Sequence, residues 1–543
     1  MRLKFLIFLV ATVLVCAISS QWILIPFCLL ELVLIFAICS VIYENRPKLS
    51  YILNVLLGFI YASQLFVYYF SGEFISMLML ENVNMMSNLG NELVVYILAC
   101  IPVAAVLFMP VGKIGWVSLN KKHLLFISAI YAMALAAGHS ILPASPYAAT
   151  ADLGIKAVQN EISKARTRMM DKDEILDYFH RDSIPGSDMD IIPMPETKPM
   201  SIILMLTEGL SAEVLDVYND HDRNLTPNLN SLHARSLVFD NYFNHTAATF
   251  RAVRGQLFSS HQYDGGYVGG SGLGEVENGT LKNMVDVELV SIVDILKSRG
   301  YETCFINPEP GDSKIVDYSY SFGVDTLISG NYTPGRERTD KEIFEVLTST
   351  VRKYEAEDKP YFIILYNLGT HHGFDSPDLK YGDGSNSYLN KFHNYDSLFG
   401  EFFNTMQSEG IFDDTLLIFT ADHATYPVPE YKKTFDSTQE TFISRIPLFL
   451  YTDGIEHGTI DAQGRNTLDL SPTILDILNI EDEENWFLGT SLFRNDEKEY
   501  SRVCSIGGLF YQVTDGELKR IKNGNSLVQE IRKYYEISIN KTK

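Results

Sequence analysis

Apolar residues are distributed very unevenly along the 543-residue chain. Residues 1–145 are mostly apolar, whereas from residue 200 short apolar runs alternate with stretches of helical periodicity. Five N-terminal segments approach the ~20 residues that a membrane-spanning helix needs. These predicted spans are residues 4–19, 22–43, 51–70, 92–111 and 123–142. The pattern therefore predicts a five-helix transmembrane domain followed by a globular α/β domain.

The globular part has the alternation of strands and helices that is typical of a largely parallel sheet. Apolar runs that predict buried strands lie at 200–206, 237–243, 301–306, 360–368, 415–421 and 446–452, with helical patterns between most of them. We therefore expect an α/β/α arrangement with a largely parallel central sheet. The predicted divisions are a transmembrane domain (1–145), a juxtamembrane helix and linker (146–199), an α/β domain (200–500) and a C-terminal segment (501–543).

Basic residues between the predicted spans favour one orientation in the membrane. They precede span one and occupy every second loop: Arg2, Lys4, Arg46, Lys48, Lys113, Lys121 and Lys122. The alternate loops, 19–22 and 71–91, contain no Lys or Arg. The positive-inside rule then places the N-terminus in the cytoplasm, and five crossings place everything after about residue 145 outside it. We expect a multi-pass protein of a bacterial cytoplasmic membrane with an extracytoplasmic α/β domain.

Charge and cysteine content exclude some classes of protein. The net charge is -23, which argues against nucleic acid as a partner. Of the six cysteines, only Cys304 and Cys504 lie in the polar part of the chain. The spacing fits neither a disulfide framework nor a zinc finger, although one bridge between these two residues stays open. Glu31, near the middle of span two, is either functional or bonded to a neighbouring helix.

Polar side chains with metal-binding and catalytic chemistry follow the predicted strands. Because ligands of such sheets bind at the carboxyl ends of the strands, we expect these side chains to converge. Carboxylates and imidazoles together suit a divalent cation such as Zn or Mn. A bound cation would lower the pKa of a nearby hydroxyl and create a nucleophile. The side chains are Glu208, Thr249, His371, His372, Asp422 and His423.

Each of these residues also has a structural interpretation. Glu208 and Thr249 are residue types that cap helices, and a single histidine is usually a structural hydrogen-bonding group. Arg251 and Arg254 follow Thr249 on a predicted helix. They either pair with a phosphate group or lie on the protein surface as solvated arginines.

Several stretches of the soluble part match a known family. They include "IILMLTEGLS", "HTAATFRAVRGQLFS", "YNLGTHHGF" and "DDTLLIFTADHA", within about residues 200–493. This part resembles the alkaline phosphatase/sulfatase superfamily, and within it the membrane-anchored branch of lipoteichoic acid synthases and phosphoethanolamine transferases. The resemblance implies one metal ion held by Glu208, Thr249, Asp422 and His423. It also implies a nucleophilic threonine and a histidine, His371, that contacts the substrate or the leaving group.

Three details of the resemblance bear on the chemistry. Thr246 is a rival nucleophile, but the T-x-R-A spacing of Thr249 to "QLFS" fits the family better. The chain also lacks the C/S-x-P-S-R motif from which sulfatases form formylglycine, which argues against sulfate ester hydrolysis. The absence of histidine from 424–456 favours the one-metal, synthase-like pattern.

The function implied by the resemblance is transfer of a phosphoglycerol or phosphoethanolamine head group. The donor would be a membrane phospholipid, the acceptor an extracytoplasmic glycan or lipid, and the intermediate a phospho-threonine at Thr249. His371 would protonate the departing diacylglycerol, while His372, Arg251 and Arg254 would bind the substrate. Two alternatives stay open: a phosphodiesterase or sulfuric ester hydrolase that uses the same site, and a non-catalytic membrane protein that binds lipid or a partner.

Overall fold

The chain divides into two compact units, Met1–Ser163 and Lys164–Lys543. The division falls inside the segment 146–199, which the sequence predicts as a helix and linker. The computed structural model describes residues 2–19, 22–71, 91–112, 145–167, 171–187, 198–221, 223–262, 289–330, 339–495, 499–506, 508–522 and 524–535, together with residues 74, 75, 79, 129, 131, 192–195 and 537.

The N-terminal unit is helical wherever the structure describes a regular element. Its helices are α1 (Arg2–Ile18), α2 (Ile25–Tyr43), α3 (Pro47–Ser71), α4 (Asn91–Leu107) and α5 (Pro146–Thr167), the last of which extends past the division. Within the described residues, two helices are long and apolar enough to cross a membrane: Trp22–Tyr43 and Pro47–Tyr69, with mean hydropathies of 2.7 and 1.6. The helices α1 and α4 coincide with predicted spans but have only 17 residues each. The fifth predicted span, 123–142, lies almost entirely outside the described residues, so the five-helix domain stays a prediction.

Glu31 is buried in the N-terminal unit and is bonded to groups from other segments. Its carboxylate accepts hydrogen bonds from Ser145 Oγ at 2.6 Å and from the backbone N–H groups of Tyr147 at 3.1 Å and Ala148 at 3.3 Å. The hydroxyl of Tyr131 also donates to it. A carboxylate is favourable at this position because the first turn of α5 offers unpaired N–H groups. These contacts agree with the structural interpretation of Glu31.

The second unit contains eleven described strands and ten described helices. The strands are β1 (Ser201–Thr207), β2 (Leu237–Asp240), β3 (Glu302–Ile306), β4 (Thr326–Ile328), β5 (Tyr361–Tyr366), β6 (Thr415–Ala421), β7 (Phe449–Tyr451), β8 (Gly458–Asp461), β9 (Val503–Ile506), β10 (Leu509–Thr514) and β11 (Glu517–Ile521). The helices are α6 (Lys172–Phe179), α7 (Pro227–His233), α8 (Thr249–Phe258), α9 (Ile292–Ser298), α10 (Lys314–Ser319), α11 (Asp340–Ala356), α12 (Ser387–Ser408), α13 (Pro429–Phe435), α14 (Leu470–Ile477) and α15 (Ser526–Tyr534).

The main sheet has eight strands in the order β4-β3-β5-β1-β6-β7-β2-β8. Only β7 runs antiparallel to its neighbours β6 and β2, which confirms the expected largely parallel sheet. The central strands β5, β1 and β6 are buried at every position, as expected for a parallel sheet covered on both faces. This burial explains why each of the three strands reads as an uninterrupted apolar run.

The register of the central strands places Glu208 and Asp422 next to each other. Leu206 pairs with Tyr366 on one side, and Thr207 pairs with Ala421 on the other. Glu208 and Asp422, each one residue past a paired position, therefore emerge side by side at the carboxyl edge of the sheet. The edge was predictable from the strand pattern, but the pairing that aligns these carboxylates is a property of the folded sheet.

The C-terminal segment holds structure that the sequence pattern does not predict. The strands β9, β10 and β11 form a separate antiparallel sheet in the order β11-β10-β9. The helix predicted near the C-terminus is present as α15. Cys304 and Cys504 are both buried free thiols, so the open alternative of a bridge between them is wrong for this structure.

Candidate active site

Glu208, Asp422 and His423 form a buried cluster at the carboxyl edge of the sheet. One ligand atom from each residue lies within 4.8 Å of the other two. His423 Nε2 lies 3.6 Å from Glu208 Oε1 and 3.5 Å from Asp422 Oδ2. All three residues are buried, with at most 1% of their surface exposed. Residues separated by more than 200 positions therefore share one small polar centre.

The orientation of these groups fits a divalent cation. Asp422 Oδ1 accepts backbone hydrogen bonds from Gly209 at 2.9 Å and His423 at 2.6 Å, and His423 Nδ1 donates to the Ala424 carbonyl at 2.8 Å. These bonds leave Asp422 Oδ2 and His423 Nε2 to face the centre. Among the described residues, Glu208 Oε1 and Asp422 Oδ2 have no hydrogen-bond partner. Two buried carboxylate oxygens and an imidazole lone pair are the donors that Zn or Mn accepts, so the residues fit such an ion.

Gly209 occupies a backbone conformation that this arrangement needs. Its φ is +56°, in the left-handed region that side chains disfavour. The conformation turns the chain sharply after β1 and aims the Gly209 N–H at Asp422 Oδ1. A glycine directly after Glu208 thus allows the backbone at the end of β1 to contact the carboxylate of Asp422, which follows β6.

Burial and charge shift the pKa values of the cluster in opposite directions. Burial and the charge of Glu208 raise the pKa of Asp422 to about 7. Burial also acts to raise the pKa of Glu208, but His423, His371 and hydrogen bonds from Tyr366 and Thr249 outweigh it and lower the pKa. Burial acts to lower the pKa of His423, but the two carboxylates raise it. Without a cation, the cluster therefore holds protons near neutral pH, and binding a cation would release them.

Thr249 places its hydroxyl on the cluster. Its Oγ1 donates to Glu208 Oε2 at 2.8 Å, and Tyr366 donates to the same oxygen at 2.7 Å. Thr249 is the first residue of α8, so it lies where a helix favours an anion. Ala248 directly before it has a φ of +72°, a strained conformation for a residue with a side chain. Such strain, on the order of 1–3 kcal/mol, is typical of positions that are held in place for function.

Thr246 has a different environment from Thr249. Its hydroxyl donates to the carbonyl of Ser505 at 2.7 Å, and Ser505 N donates to His245 at 2.8 Å. The strand β9 therefore fixes the segment that leads to Thr249. Because the Thr246 hydroxyl is committed to this carbonyl, the geometry favours Thr249 as the nucleophile.

Arg251 and Arg254 are both buried, with 2% and 0% of their surface exposed. The interpretation of these residues as solvated surface arginines is therefore wrong. Arg254 donates to Gln262 Oε1 at 2.6 Å and lies over the ring of Phe258. Arg251 Nε donates to the Ala247 carbonyl at 3.0 Å, and its charge acts on His423. Substrate binding by both arginines stays a prediction, and Arg251 has an electrostatic influence on His423.

His371 and His372 lie on the turn that follows β5. His371 Nδ1 donates to the His372 carbonyl at 2.6 Å. Nε2 is then the ring nitrogen that can contact a substrate. The ring of Tyr426 contacts His371, His372 and His423, with centroid separations of 5.4, 5.6 and 5.9 Å. Burial lowers the pKa of His371 although Glu208 opposes the shift, so the resting imidazole is neutral at pH 7. It must gain a proton before it acts as an acid.

Comparison with known proteins identifies the domain that carries this site. The family model described as Sulfatase matches residues 201–480, which is just over half of the chain. The chain belongs to the sulfatase family. The cluster and Thr249 lie within the matched sulfatase domain, whereas β9, β10 and β11 follow it.

Individual relatives are lipoteichoic acid synthases. The chain is 22% identical over 417 residues to lipoteichoic acid synthase 2 of Bacillus subtilis, covering 69% of this chain and 62% of that protein. It is 24% identical over 420 residues to the lipoteichoic acid synthase of Staphylococcus saprophyticus, covering 71% and 61%. The chain thus matches about three fifths of the length of these relatives. The matches confirm the resemblance to the membrane-anchored branch.

Solved structures show the same fold. A protein of the alkaline phosphatase superfamily from Vibrio parahaemolyticus superposes with a TM-score of 0.50 at 18% identity, covering 68% of this chain and 95% of that one. The lipoteichoic acid synthase LtaP from Listeria monocytogenes gives 0.50 at 17% identity, covering 68% and 96%. At these identities the similarity establishes the architecture of the sulfatase domain.

Sequence reasoning missed several residues of the site. Tyr366 donates to Glu208, but it ends an apolar run and therefore resembles any core aromatic residue. Tyr426 lies four residues after Asp422, and only the fold shows that its ring contacts three histidines. Lys391 lies on a predicted helix and is a residue type that is usually solvated, yet it is 1% exposed. None of the three has a spacing that distinguishes it in the sequence.

Two further histidines of the sulfatase domain are buried beside the segment that leads to Thr249. The rings of His245 and His261 lie 5.5 Å apart, and burial lowers the pKa of His261 to about 3 and that of His245 well below its ordinary value. Both are therefore neutral in the folded protein over the physiological range. In the unfolded chain these histidines protonate near pH 6.5, whereas in the folded protein they stay neutral at that pH. Acid therefore favours the unfolded chain, which binds more protons.

This burial predicts a specific loss of stability in acid. Because the folded pKa of His261 is below its unfolded value, its contribution is complete above about pH 6.5 and is lost as the pH falls toward 3. His261→Gln should reduce the fall in unfolding free energy between pH 7.5 and 5.5 by about 1 kcal/mol. Unfolding of the full-length protein in detergent would be measured at both pH values. The exposed His457→Gln is the matched control, and an equal pH dependence in all three proteins would contradict the prediction.

Proposed function

We propose that this protein is a metal-dependent transferase anchored in a bacterial cytoplasmic membrane. It moves a phosphoglycerol or phosphoethanolamine head group from a membrane phospholipid to an extracytoplasmic glycan or lipid acceptor. The observation that carries the proposal is the hydroxyl of Thr249, bonded at 2.8 Å to Glu208 in a cluster that fits a cation. The names of the lipoteichoic acid synthase relatives support the same reaction class.

The residues of the site have distinct roles in the first half-reaction. Thr249 Oγ1 attacks the phosphorus atom, and Glu208 Oε2 is the nearest acceptor for its proton. The bond between phosphorus and the diacylglycerol oxygen breaks, leaving the head group phosphate on Thr249. A divalent cation held by Glu208, Thr249, Asp422 and His423 would lower the hydroxyl pKa and offset phosphoryl charge. Arg251 adds a fixed positive charge on the α8 side of the cluster.

His371 serves both half-reactions through its Nε2. An anionic phosphodiester beside the ring favours the protonated imidazole, which then donates its proton to the departing diacylglycerol oxygen. The neutral imidazole next accepts the proton of the acceptor hydroxyl as that oxygen attacks the phospho-threonine. The bond from phosphorus to Thr249 Oγ1 breaks, and the threonine recovers a proton from Glu208. His372, which is exposed, would contact the head group.

The direct test is release of diacylglycerol by the full-length protein. It is reconstituted in vesicles that contain labelled phosphatidylglycerol or phosphatidylethanolamine, with Mn or Zn added. We expect release from one of these lipids and an adduct on Thr249 whose mass identifies the head group. No release from either lipid, with or without added glycan or lipid acceptor, would reject the transferase.

The same assay separates the transferase from a hydrolase. A phosphodiesterase would liberate the free head group phosphate at the same rate whether or not an acceptor is present. A sulfuric ester hydrolase would act on sulfate esters, but residues 245–255 lack the formylglycine precursor motif. A non-catalytic binding protein has no need for two buried carboxylate oxygens without hydrogen-bond partners, which favours an enzyme.

A further inference from the structure

Lys391 is a buried lysine beside the candidate active site. It lies on α12 and is 1% exposed. Its described partners are the carbonyl oxygen of His371, 3.0 Å from Nζ, and the ring faces of Tyr388 at 3.8 Å and Phe392 at 5.5 Å. A carbonyl and two aromatic rings compensate an ammonium group less well than a carboxylate does. Burial of the ammonium group in this environment costs stability, so we expect Lys391 to have a role other than packing.

The lysine acts together with Tyr388, which lies one helical turn earlier. Residues three apart on a helix project from the same face, so both side chains point at the turn after β5. The hydroxyl of Tyr388 lies 2.8 Å from His372 Nδ1, while Lys391 holds the carbonyl of the preceding residue, His371. One face of α12 thus contacts two consecutive histidines through two separate hydrogen bonds.

The carbonyl that Lys391 holds also closes the turn itself. Phe374 N donates to this same His371 oxygen at 3.2 Å, and His371 N donates to Leu368 at 3.0 Å. Loss of the ammonium would remove one of the two donors that fix the His371 oxygen. The ring of His371 depends on this backbone for its position against Tyr426 and the cluster.

Lys391 interacts electrostatically with charged and titratable residues of the site. Burial lowers the pKa of Lys391 to about 7, although Glu208, Glu430 and Asp375 oppose the shift. The charge of Lys391 in turn disfavours the protonated form of His371. Lys391 and Glu208 are therefore close enough to interact across the turn.

We infer that Lys391 is a positioning residue, which together with Tyr388 fixes the turn of His371 and His372 beside the Thr249–Glu208 pair. Lys391 does not touch the reacting atoms. It holds the backbone of His371, so that Nε2 reaches the leaving and attacking oxygens in one orientation. The inference rests on the proposed transferase function only for its kinetic readout.

Lys391→Met keeps the length of the side chain but removes the donor. We expect kcat for diacylglycerol release to fall on the order of 10- to 100-fold, because small displacements of a catalytic group cost about this much. KM should change less than about threefold, since the lysine does not bind substrate. Lys391→Gln restores an N–H donor without charge and should recover part of kcat. Phe402→Leu, a buried change farther along α12, is the matched control for stability.

A second measurement is independent of activity. Hydrogen exchange of full-length protein should be faster at the amides of residues 371–374 in Lys391→Met than in wild type or Phe402→Leu. Unchanged kcat and unchanged exchange in Lys391→Met would overturn the inference, as would a fall in kcat equal to that of Phe402→Leu. If wild type releases no diacylglycerol but exchange still rises in Lys391→Met, the proposed function fails while the positioning of the turn stands.

Discussion

Thr249→Ala should abolish diacylglycerol release and the covalent adduct while leaving the protein folded. Removal of a covalent nucleophile costs on the order of 10⁴-fold or more in kcat. The change deletes one hydrogen bond to Glu208 Oε2, and Tyr366 still donates to that oxygen. The loss of stability should therefore be small, about 1 kcal/mol. Vesicle assays and intact-mass spectrometry of the purified variant measure activity and adduct together.

Thr246 provides the matched control, because it is the same residue type three positions earlier. Thr246→Val removes the bond to the Ser505 carbonyl and should cost about 1 kcal/mol of stability. Diacylglycerol release by this folded variant should remain within a few-fold of wild type. Thr249→Ser keeps a hydroxyl and should retain part of the activity. Activity in Thr249→Ala, or a folded but inactive Thr246→Val, would contradict the assignment of Thr249 as the nucleophile.

Asp422→Asn should eliminate activity and, at the same time, the stabilisation that a cation provides. An ion at 100 times its dissociation constant stabilises the folded state by about 2.7 kcal/mol, so chelation of wild type should lower the melting temperature. The variant lacks an anionic ligand and should show little change with Mn, Zn or chelator. Melting curves with added metal and with chelator test this directly, and an equal metal-dependent rise in the variant would reject Asp422 as a ligand.

Without metal, Asp422→Asn should be more stable than wild type at pH 8, which is the reverse of their order with metal bound. The folded pKa of Asp422, about 7, is above its ordinary value, so the contribution of this residue to the stability of the metal-free wild type is lost as the pH rises from about 4 to about 7. Asn at this position accepts the same backbone bonds without that charge, so the metal-free variant should be more stable at pH 8. The gain should be on the order of 1 kcal/mol, because Asp422 also supports protonated His423. The two proteins should converge near pH 4.

Asp396 offers a control of the same residue type and similar burial. It accepts a bond from Leu229 N at 2.8 Å at the start of α7, and burial raises its pKa to about 6. Asp396→Asn should therefore change stability with pH in the same direction as Asp422→Asn. It should keep the full rise in melting temperature with metal, because its carboxylate bonds to the first turn of α7. This contrast separates removal of a buried charge from removal of a ligand.

Local patterns in the sequence determined the architecture of the soluble part. Strands buried on both faces must be apolar throughout, so β1, β5 and β6 stand out as apolar runs without any knowledge of their neighbours. The short strands β4 and β8 were not predicted, because three half-buried residues in β4 and four mostly exposed residues in β8 carry little periodicity. The C-terminal sheet escaped for a similar reason, since β11 is largely exposed and reads as polar sequence.

The sequence by itself determined that Glu208 and Asp422 leave the carboxyl edge of the sheet, because they directly follow the apolar strands β1 and β6 in the chain. Only the tertiary structure decided which atoms face one another: Thr249 rather than Thr246 on Glu208, and the burial of Arg251, Arg254 and Lys391. Periodicity records which face of one element is buried, whereas contacts such as the one between Thr246 and Ser505 join segments 259 residues apart. They depend on strand register and on loop conformations such as those at Ala248 and Gly209, which no local pattern specifies.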